Sequence, residues 1–274
     1  MRQNLRTLWR EIAPVEHGAW GLFLIPLMLG ATVSRNGWPA QALLALSTLG
    51  VFLMRRPALH WLRAFSREPL DAIHTLWPGR AFALCLTLMV SCGIPLLWMG
   101  HLYLIFVSAV AAGLIWSEVY LASSRNRYPF LSELTEVWVL SLLAPSAYYV
   151  GTGRIDQTAA VLWTLCAVYF SVSIADIRVR LARFRVNRHM AEESLVDERN
   201  IERLVTCWVG LAGALMISVL TPRYRPALLA LVPLLLRPFF RRKIPVSVAT
   251  DIPTLGWSEV YLSLVFAVLA AVLI

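Results

Sequence analysis

Apolar residues occur along this chain in long blocks separated by short polar segments. The blocks are roughly 15 to 22 residues long, a length that spans about 30 Å of hydrocarbon as an α-helix. This pattern predicts an all-α, polytopic membrane protein with nine transmembrane helices and a single transmembrane domain over residues 1–274. The predicted spans are 18–34, 39–56, 81–99, 102–122, 134–151, 158–176, 203–220, 226–240 and 258–274.

The composition agrees with a membrane location. Of the 274 residues, 58% are hydrophobic and 15% are charged, whereas an ordinary soluble domain has about 25% charged residues. The four cysteines all fall inside predicted spans and form no CxxC pair, so neither a disulfide framework nor a zinc site is expected. They are Cys85, Cys92, Cys166 and Cys207.

The distribution of Lys and Arg predicts the orientation. With the N-terminus in the cytoplasm, 21 of the 25 basic residues lie on the cytoplasmic side, as the positive-inside rule requires. We therefore predict an inner-membrane protein with a cytoplasmic N-terminus and an external C-terminus. The net charge of +9 then reflects orientation and contact with anionic headgroups, and no nucleic-acid partner is expected. The predicted cytoplasmic loops are 57–80, 123–133, 177–202 and 241–257.

The hexapeptide WSEVYL occurs twice, at 116–121 and 257–262. The two predicted spans run in opposite directions, so both copies lie at the cytoplasmic end, which argues against an internal duplication. On a helix the Trp and Tyr of each copy lie about 40° apart, and the Glu between them points away. We expect the aromatic residues to face lipid and Glu118 and Glu259 to face inward. The alternative is an interfacial aromatic belt with a Glu that reaches water.

Acidic residues are concentrated at the cytoplasmic ends of the predicted spans, since the outer ends contribute only Asp156. A one-sided ring of acids and arginines from several spans predicts a polar cavity open to the cytoplasm. The candidate acid/base residues are Glu16, His17 and Asp176. The candidate substrate-binding residues are Arg55, Arg56, Arg63, Glu118, Arg125, Arg127, Glu133, Arg178, Arg180 and Glu259.

Each of these motifs also has a structural explanation. Glu16 could complement the dipole of the first helix, and the arginine pair after span 2 could serve orientation alone. Asp176 could be buried and paired with Arg180, one helical turn further on. The basic loop 123–133 could close the cavity or be an ordinary cytoplasmic loop.

Three short motifs carry a resemblance to known families: EHGAW at the start of span 1, RRP after span 2, and A-D-x-R-x-R after span 6. Together they resemble the YwiC-like family of bacterial integral membrane proteins over most of the chain. The layout is in turn similar to the UbiA superfamily of intramembrane prenyltransferases. That similarity implies nine helices around a cytoplasm-facing cavity, with aspartate-rich motifs after helices 2 and 6 that hold Mg²⁺ and a prenyl diphosphate.

The chemistry at the two motif positions differs from that superfamily. The corresponding residues are Arg55, Arg56, Leu59 and Arg63 for the first motif, and Asp176 and Arg180 for the second. Arginines would repel the Mg²⁺ that the resemblance implies, but they can bind a phosphate directly through planar guanidinium forks. No metal ligands are therefore assigned.

The predicted function is binding of an isoprenoid or another lipid with an anionic headgroup, and the reaction that the resemblance implies is UbiA-like group transfer to or from that lipid. The first alternative is a transporter or flippase for a small anion or lipid. Against this alternative, the sequence has neither the inverted repeat nor the mid-membrane ionisable residues that alternating-access transporters use. The second alternative is a non-catalytic membrane subunit or assembly factor.

Overall fold

The computed structural model describes residues 17–65, 72–123, 129–186, 210, 213, 222–234 and 251–274. Within these ranges the chain is helical, and no strand is present. The helices are α1 His17–Ser34, α2 Trp38–Phe65, α3 Ala72–Trp98, α4 Tyr103–Ser123, α5 Pro129–Ser141, α6 Leu143–Thr152, α7 Gln157–Val186, a 3₁₀ helix Pro222–Leu231, and α8 Asp251–Leu273. The all-α prediction is confirmed for this part of the chain.

Helix α7 is the core of the described bundle. Leu162, Leu165 and Tyr169 on it are fully buried, and α5, α6, α1 and the 3₁₀ helix all contact it. Helix α3 is the opposite case, because many of its large apolar residues, such as Leu84 and Ile94, are exposed. Apolar side chains on an outer face are typical of helices in contact with lipid rather than water.

Two segments, Gly79–Trp98 in α3 and Gln157–Arg178 in α7, are long and apolar enough to cross a membrane. Shorter apolar stretches occur at Gly18–Ser34, Trp38–Met54, Tyr103–Gly113 and Trp257–Leu273. These segments overlap with six of the nine predicted spans. The described residues thus support a membrane protein, whereas the number of spans and the orientation stay predictions.

Small residues let the helices approach closely. A Cβ added at Gly30 of α1 would collide with the backbone carbonyl of Ala144 on α6. At Gly50 of α2 an added Cβ would come within 2.8 Å of the carbonyl oxygen of Cys85 on α3. Close backbone contact through glycine is typical of helix pairs in membranes, where dispersion forces and polar contacts replace the hydrophobic effect between helices.

Predicted span 5 is broken into two helices, α5 and α6. Leu142 lies at the break, and its N–H donates to Val139 O at 3.0 Å in a tighter, three-residue turn. The cause is Pro145, which cannot donate to Ser141 O and whose ring crowds that carbonyl. The hydrophobic run 134–151 does not show this break because both helices are equally apolar.

The helix that contains predicted span 2 is longer than the span. Helix α2 continues through the buried Pro57 to Phe65, and α3 already begins at Ala72, so most of the predicted loop 57–80 is helix. The missing N–H of a proline is tolerated where neighbouring helices pack around the kink. Helix α7 likewise extends to Val186, beyond the predicted end of span 6.

The region of predicted spans 7 and 8 is described in part. Span 203–220 lies mostly outside the described residues. The predicted start of the next span falls in the 3₁₀ helix Pro222–Leu231, which contains Pro226. Prolines at 222 and 226 remove backbone donors from this stretch, so a regular α-helix does not begin here.

Candidate functional site

Helices α5 and α7 are joined at one end by a two-pronged ion pair. Arg178 Nε donates to Glu133 Oε2 at 2.6 Å and Arg178 Nη2 donates to Glu133 Oε1 at 2.8 Å. The Arg178 side chain is 18% exposed and that of Glu133 is 43% exposed. The planar guanidinium fork matches the two carboxylate oxygens, which fixes the relative position of the two helices.

Below the ion pair, the same two helices make a polar and an apolar contact. Trp138 Nε1 donates to Ser171 Oγ at 3.2 Å, and Leu134 packs against Ala175 in a small buried cluster. Ser171 and Arg178 are seven residues apart on α7 and therefore lie on one face. This face of α7 is the one that faces α5.

A second polar contact joins α7 to α8. Ser173 Oγ donates to Glu259 Oε2 at 2.8 Å, and both side chains are buried. One turn deeper, the rings of Tyr169 and Phe266 stack with centroids 4.1 Å apart at an interplanar angle of 14°. The hydrogen bond from Ser173 stabilises the buried Glu259 side chain, since burial of a carboxyl group without hydrogen bonds is strongly unfavourable.

The second WSEVYL copy has the orientation expected from helical phase. Glu259 is 5% exposed, whereas Trp257 and Tyr261 are 56% and 69% exposed. The inward glutamate and outward aromatic residues are thus confirmed for this copy. Glu118 of the first copy lies on α4, and its side chain is outside the described part of the chain.

Asp176 lies on the same stripe of α7 as Tyr169 and Ser173, at the spacing i, i+4, i+7. Its side chain is half-buried. We refer to the polar residues at this end of α7 as the Arg178 cluster. It consists of Glu133, Ser173, Asp176, Arg178 and Glu259.

The structure brings three of the predicted substrate-binding residues and one predicted acid/base residue into this cluster. For the remaining candidates it gives the backbone alone or nothing. Glu16, Arg125 and Arg127 lie outside the described residues, and the side chains of His17, Arg55, Arg56, Arg63, Glu118 and Arg180 are not described. Because α2 is continuous across Pro57, Arg56 and Arg63 lie seven residues apart on one face.

Sequence reasoning missed Ser173 and the pairing of Glu133 with Arg178. A serine three residues before an aspartate in an apolar helix was a usable signal, because hydroxyls in membrane helices commonly hydrogen-bond to a neighbouring helix. The partner of Arg178 had no such signal. Glu133 directly follows a basic loop in the sequence, yet it bonds across the bundle to α7.

The cluster offers one guanidinium and three carboxyl groups at one end of an apolar bundle. Among the described residues, no group of three or more His, Cys, Asp or Glu side chains is close enough to hold a metal ion. The polar contacts shown are cation to carboxylate and hydroxyl to carboxylate. Such an arrangement can hold an anionic or hydrogen-bonding headgroup while the surrounding helices contact its apolar part.

Comparison with known proteins gives a family match for the first half of the chain. Residues 13–148 match the family described as YwiC-like protein. The chain is also 26% identical to the Uncharacterized protein YwiC of Bacillus subtilis (strain 168) over 186 residues, which cover 66% of this chain and 72% of that protein. The chain belongs to the YwiC-like family.

The YwiC-like match covers helices α1 to α5 and most of α6. It therefore includes Glu133 but ends before α7. No solved structure gives a significant match to the chain. The family prediction is thus confirmed, whereas a UbiA-like arrangement of nine helices stays a prediction.

Proposed function

We propose that this YwiC-like protein is a multi-pass inner-membrane protein that binds a lipid with an anionic headgroup, such as an isoprenoid phosphate, at the Arg178 cluster. The N-terminus and this cluster lie on the cytoplasmic side, and the C-terminus lies outside. The observation that carries the proposal is the Glu133–Arg178 ion pair next to the buried Ser173–Glu259 contact, at one end of an otherwise apolar bundle.

The dimensions of α7 support the membrane part of this proposal. The Arg178 cluster and the polar start of α7 lie at opposite ends of the segment 158–176, which is about 27 Å long at 1.5 Å per residue. That length is close to the hydrocarbon thickness of a bilayer. The basic residues of the sequence favour the cytoplasm for the Arg178 end.

The chemistry of the cluster supports an anionic headgroup. Arg178 is preorganised by Glu133 and can exchange that carboxylate for a phosphate, which its fork fits equally well. Arg55, Arg56, Arg63 and Arg180 are the further cations proposed for this end. Their residue type favours direct phosphate binding over a Mg²⁺ site.

UbiA-like group transfer is the reaction proposed for the bound lipid. Asp176, Glu16 and His17 are the groups proposed to move protons, since carboxylates and imidazole serve as general acids and bases. Ser173 would keep Glu259 in place beside the headgroup.

The test is lipid retention by purified protein. The chain and its variants are extracted from native membranes in mild detergent, and bound lipids are identified by mass spectrometry. Arg178→Gln is expected to lower the retained anionic lipid about tenfold, because a charge-assisted fork is lost. Arg154→Gln, an exposed arginine at the other end of α7, is the control and should retain the lipid.

Glu133→Gln separates ligand binding from simple support of the fold. It removes the carboxylate that competes with a phosphate for the Arg178 fork, so lipid retention should be equal or higher. Equal loss of lipid in Glu133→Gln and Arg178→Gln would mean that the pair is a structural link, and the proposal would then be wrong. Incubation of the parent protein with an isotope-labelled prenyl diphosphate, with and without Mg²⁺, tests for transfer by the appearance of a labelled lipid product.

A further inference from the structure

A cavity of about 320 Å³ lies at the opposite end of α7 from the Arg178 cluster. It is formed where the ends of α1, α6 and α8 meet the starts of α7 and the 3₁₀ helix. Its polar lining consists of Arg35, Tyr148, Asp156, Thr158, Arg223 and Tyr224. Two of the four arginines outside the predicted cytoplasmic segments therefore share one cavity, although they are 188 positions apart in the sequence.

The negative charge in this cavity is satisfied locally. Asp156 Oδ2 accepts from Tyr148 Oη at 2.9 Å, and Oδ1 accepts from the N–H groups of Thr158 at 2.9 Å and Ala159 at 3.3 Å. Burial by itself would raise the pKa of Asp156, but these hydrogen bonds outweigh it and lower the pKa. Asp156 is thus an ionised cap of α7, and its oxygens are turned toward their donors.

The positive charges are not satisfied in the same way. In the described part of the chain, neither Arg35 nor Arg223 forms an ion pair. The Arg223 guanidinium lies 5.7 Å from the centre of the Tyr224 ring, and the Tyr224 and Thr158 hydroxyls hydrogen-bond at 2.8 Å. The 3₁₀ helix is therefore tied to α7 at the point where it presents Arg223.

Arg35 is held by the turn between α1 and α2. Gln41 Nε2 donates to Ser34 Oγ at 2.6 Å and to Asn36 O at 2.8 Å, which closes the turn on both sides of Arg35. Arg35 itself has φ of 58°, a conformation that asparagine adopts more readily than other non-glycine residues. The two arginines thus reach one cavity from two fixed connections.

We propose that this cavity is a second anion site, which binds a phosphate ester through the guanidinium groups of Arg35 and Arg223. Thr158 and Tyr224 share one hydrogen bond, and the hydroxyl that accepts in it can donate its own proton to the phosphate. Paired guanidinium groups next to hydroxyls are the chemistry by which proteins bind phosphate without a metal. The apolar margin formed by Val33, Ala271 and Ile274 fits either the glycerol end of a phospholipid or the organic part of a soluble phosphorylated solute.

The experiment measures binding to the full-length chain in detergent by titration calorimetry, with two probes. Inorganic phosphate represents a soluble source, and dihexanoyl phosphatidylglycerol represents a lipid source. Arg35→Asn keeps the left-handed turn and Arg223→Gln keeps side-chain size. Arg154→Gln removes an exposed arginine at the same end that does not line the cavity, and it is the matched control.

Each single substitution should weaken binding about tenfold, because one charge-assisted interaction is lost, whereas Arg154→Gln should bind as the parent does. Phosphate binding that depends on Arg35 and Arg223 supports the site with a soluble source. Dependence seen only with the short-chain lipid supports it with a lipid source. Parent affinity in the double variant for both probes, or no binding of either probe by the parent, overturns the proposal.

A substitution that unfolds the protein is recognised by its unfolding temperature without probe. In that case Arg223→Lys gives the decisive measurement, since it keeps the charge and removes the planar fork. It should bind several-fold more weakly than the parent. Unchanged affinity in Arg223→Lys together with parent-like binding in Arg35→Asn would overturn the site.

Discussion

Single positions on α7 decide which neighbouring helix each side chain meets. Ser171 and Arg178 face α5, whereas Ser173, two residues from Ser171, faces Glu259 on α8. Helical phase fixes such directions from sequence, and this is why the inward direction of Glu259 could be predicted. The partner of Glu133 could not, because sequence gives the depth of a residue in a bundle but not which helices are neighbours.

The ion pair between Glu133 and Arg178 should be visible as a coupling energy. In a double-mutant cycle with Glu133→Gln and Arg178→Gln, we expect the two destabilisations to be non-additive by about 1 kcal/mol, since the pair is only partly exposed. Thermal unfolding in detergent provides the measurement. The cycle of Glu133→Gln with Arg154→Gln, at the other end of α7, should be additive, and a coupling there would contradict this interpretation.

Asp156 should make stability depend on pH in acid solution. Its pKa is lowered in the folded protein by the hydrogen bonds from Tyr148, Thr158 and Ala159, which outweigh the effect of burial. The stabilisation is therefore present above the unfolded pKa of about 4 and is lost as the pH falls through the folded pKa.

Asp156→Asn should accordingly lower the unfolding temperature at pH 6, and the difference from the parent should shrink as the pH approaches 3. Measurements of unfolding temperature over this range test it. A difference that stays constant with pH would show that the carboxylate charge plays no part.

At the scale of helices, two prolines have opposite outcomes. Pro145 breaks a predicted span between Ser141 and Leu143, whereas α2 continues through Pro57. The local sequence cannot separate these cases, because both prolines lie in apolar surroundings and the outcome depends on how neighbouring helices pack around the kink. Helix existence was thus predictable here, while helix ends were not.

Glycine gives the clearest prediction at this scale. Gly30→Ala should destabilise the protein by about 1–3 kcal/mol, because the new methyl group collides with the Ala144 carbonyl and pushes α1 and α6 apart. Gly113→Ala in α4 is the control, since no described atom lies within 4 Å of its added Cβ. It should be neutral or stabilising by about 0.5–1 kcal/mol. Equal effects of both substitutions on the unfolding temperature would contradict the close α1–α6 contact.

At the scale of the whole molecule, the proposed topology places the two ends of α7 on opposite sides of the membrane. Labelling of a cysteine at each side tests this orientation. In a cysteine-free background, Arg154→Cys should react with a membrane-impermeant maleimide in intact cells with a permeable outer envelope. Ser123→Cys, at the end of α4, should react only after the inner membrane is opened. The reverse pattern would invert the proposed topology and place the Arg178 cluster outside.

The stacked rings of Tyr169 and Phe266, with Phe170 edge-on to Tyr169 at 5.2 Å, lie between the two polar ends and are buried. The described helices carry no Asp, Glu, Lys, Arg or His side chain in this middle layer. An electric field across the membrane does about 2.3 kcal/mol of work per 100 mV on a charge that moves through it. The side chains of this middle layer carry no charge on which the field could act. Lipid retention at the Arg178 cluster should consequently be the same in energised vesicles and in vesicles whose membrane potential has been collapsed by an ionophore.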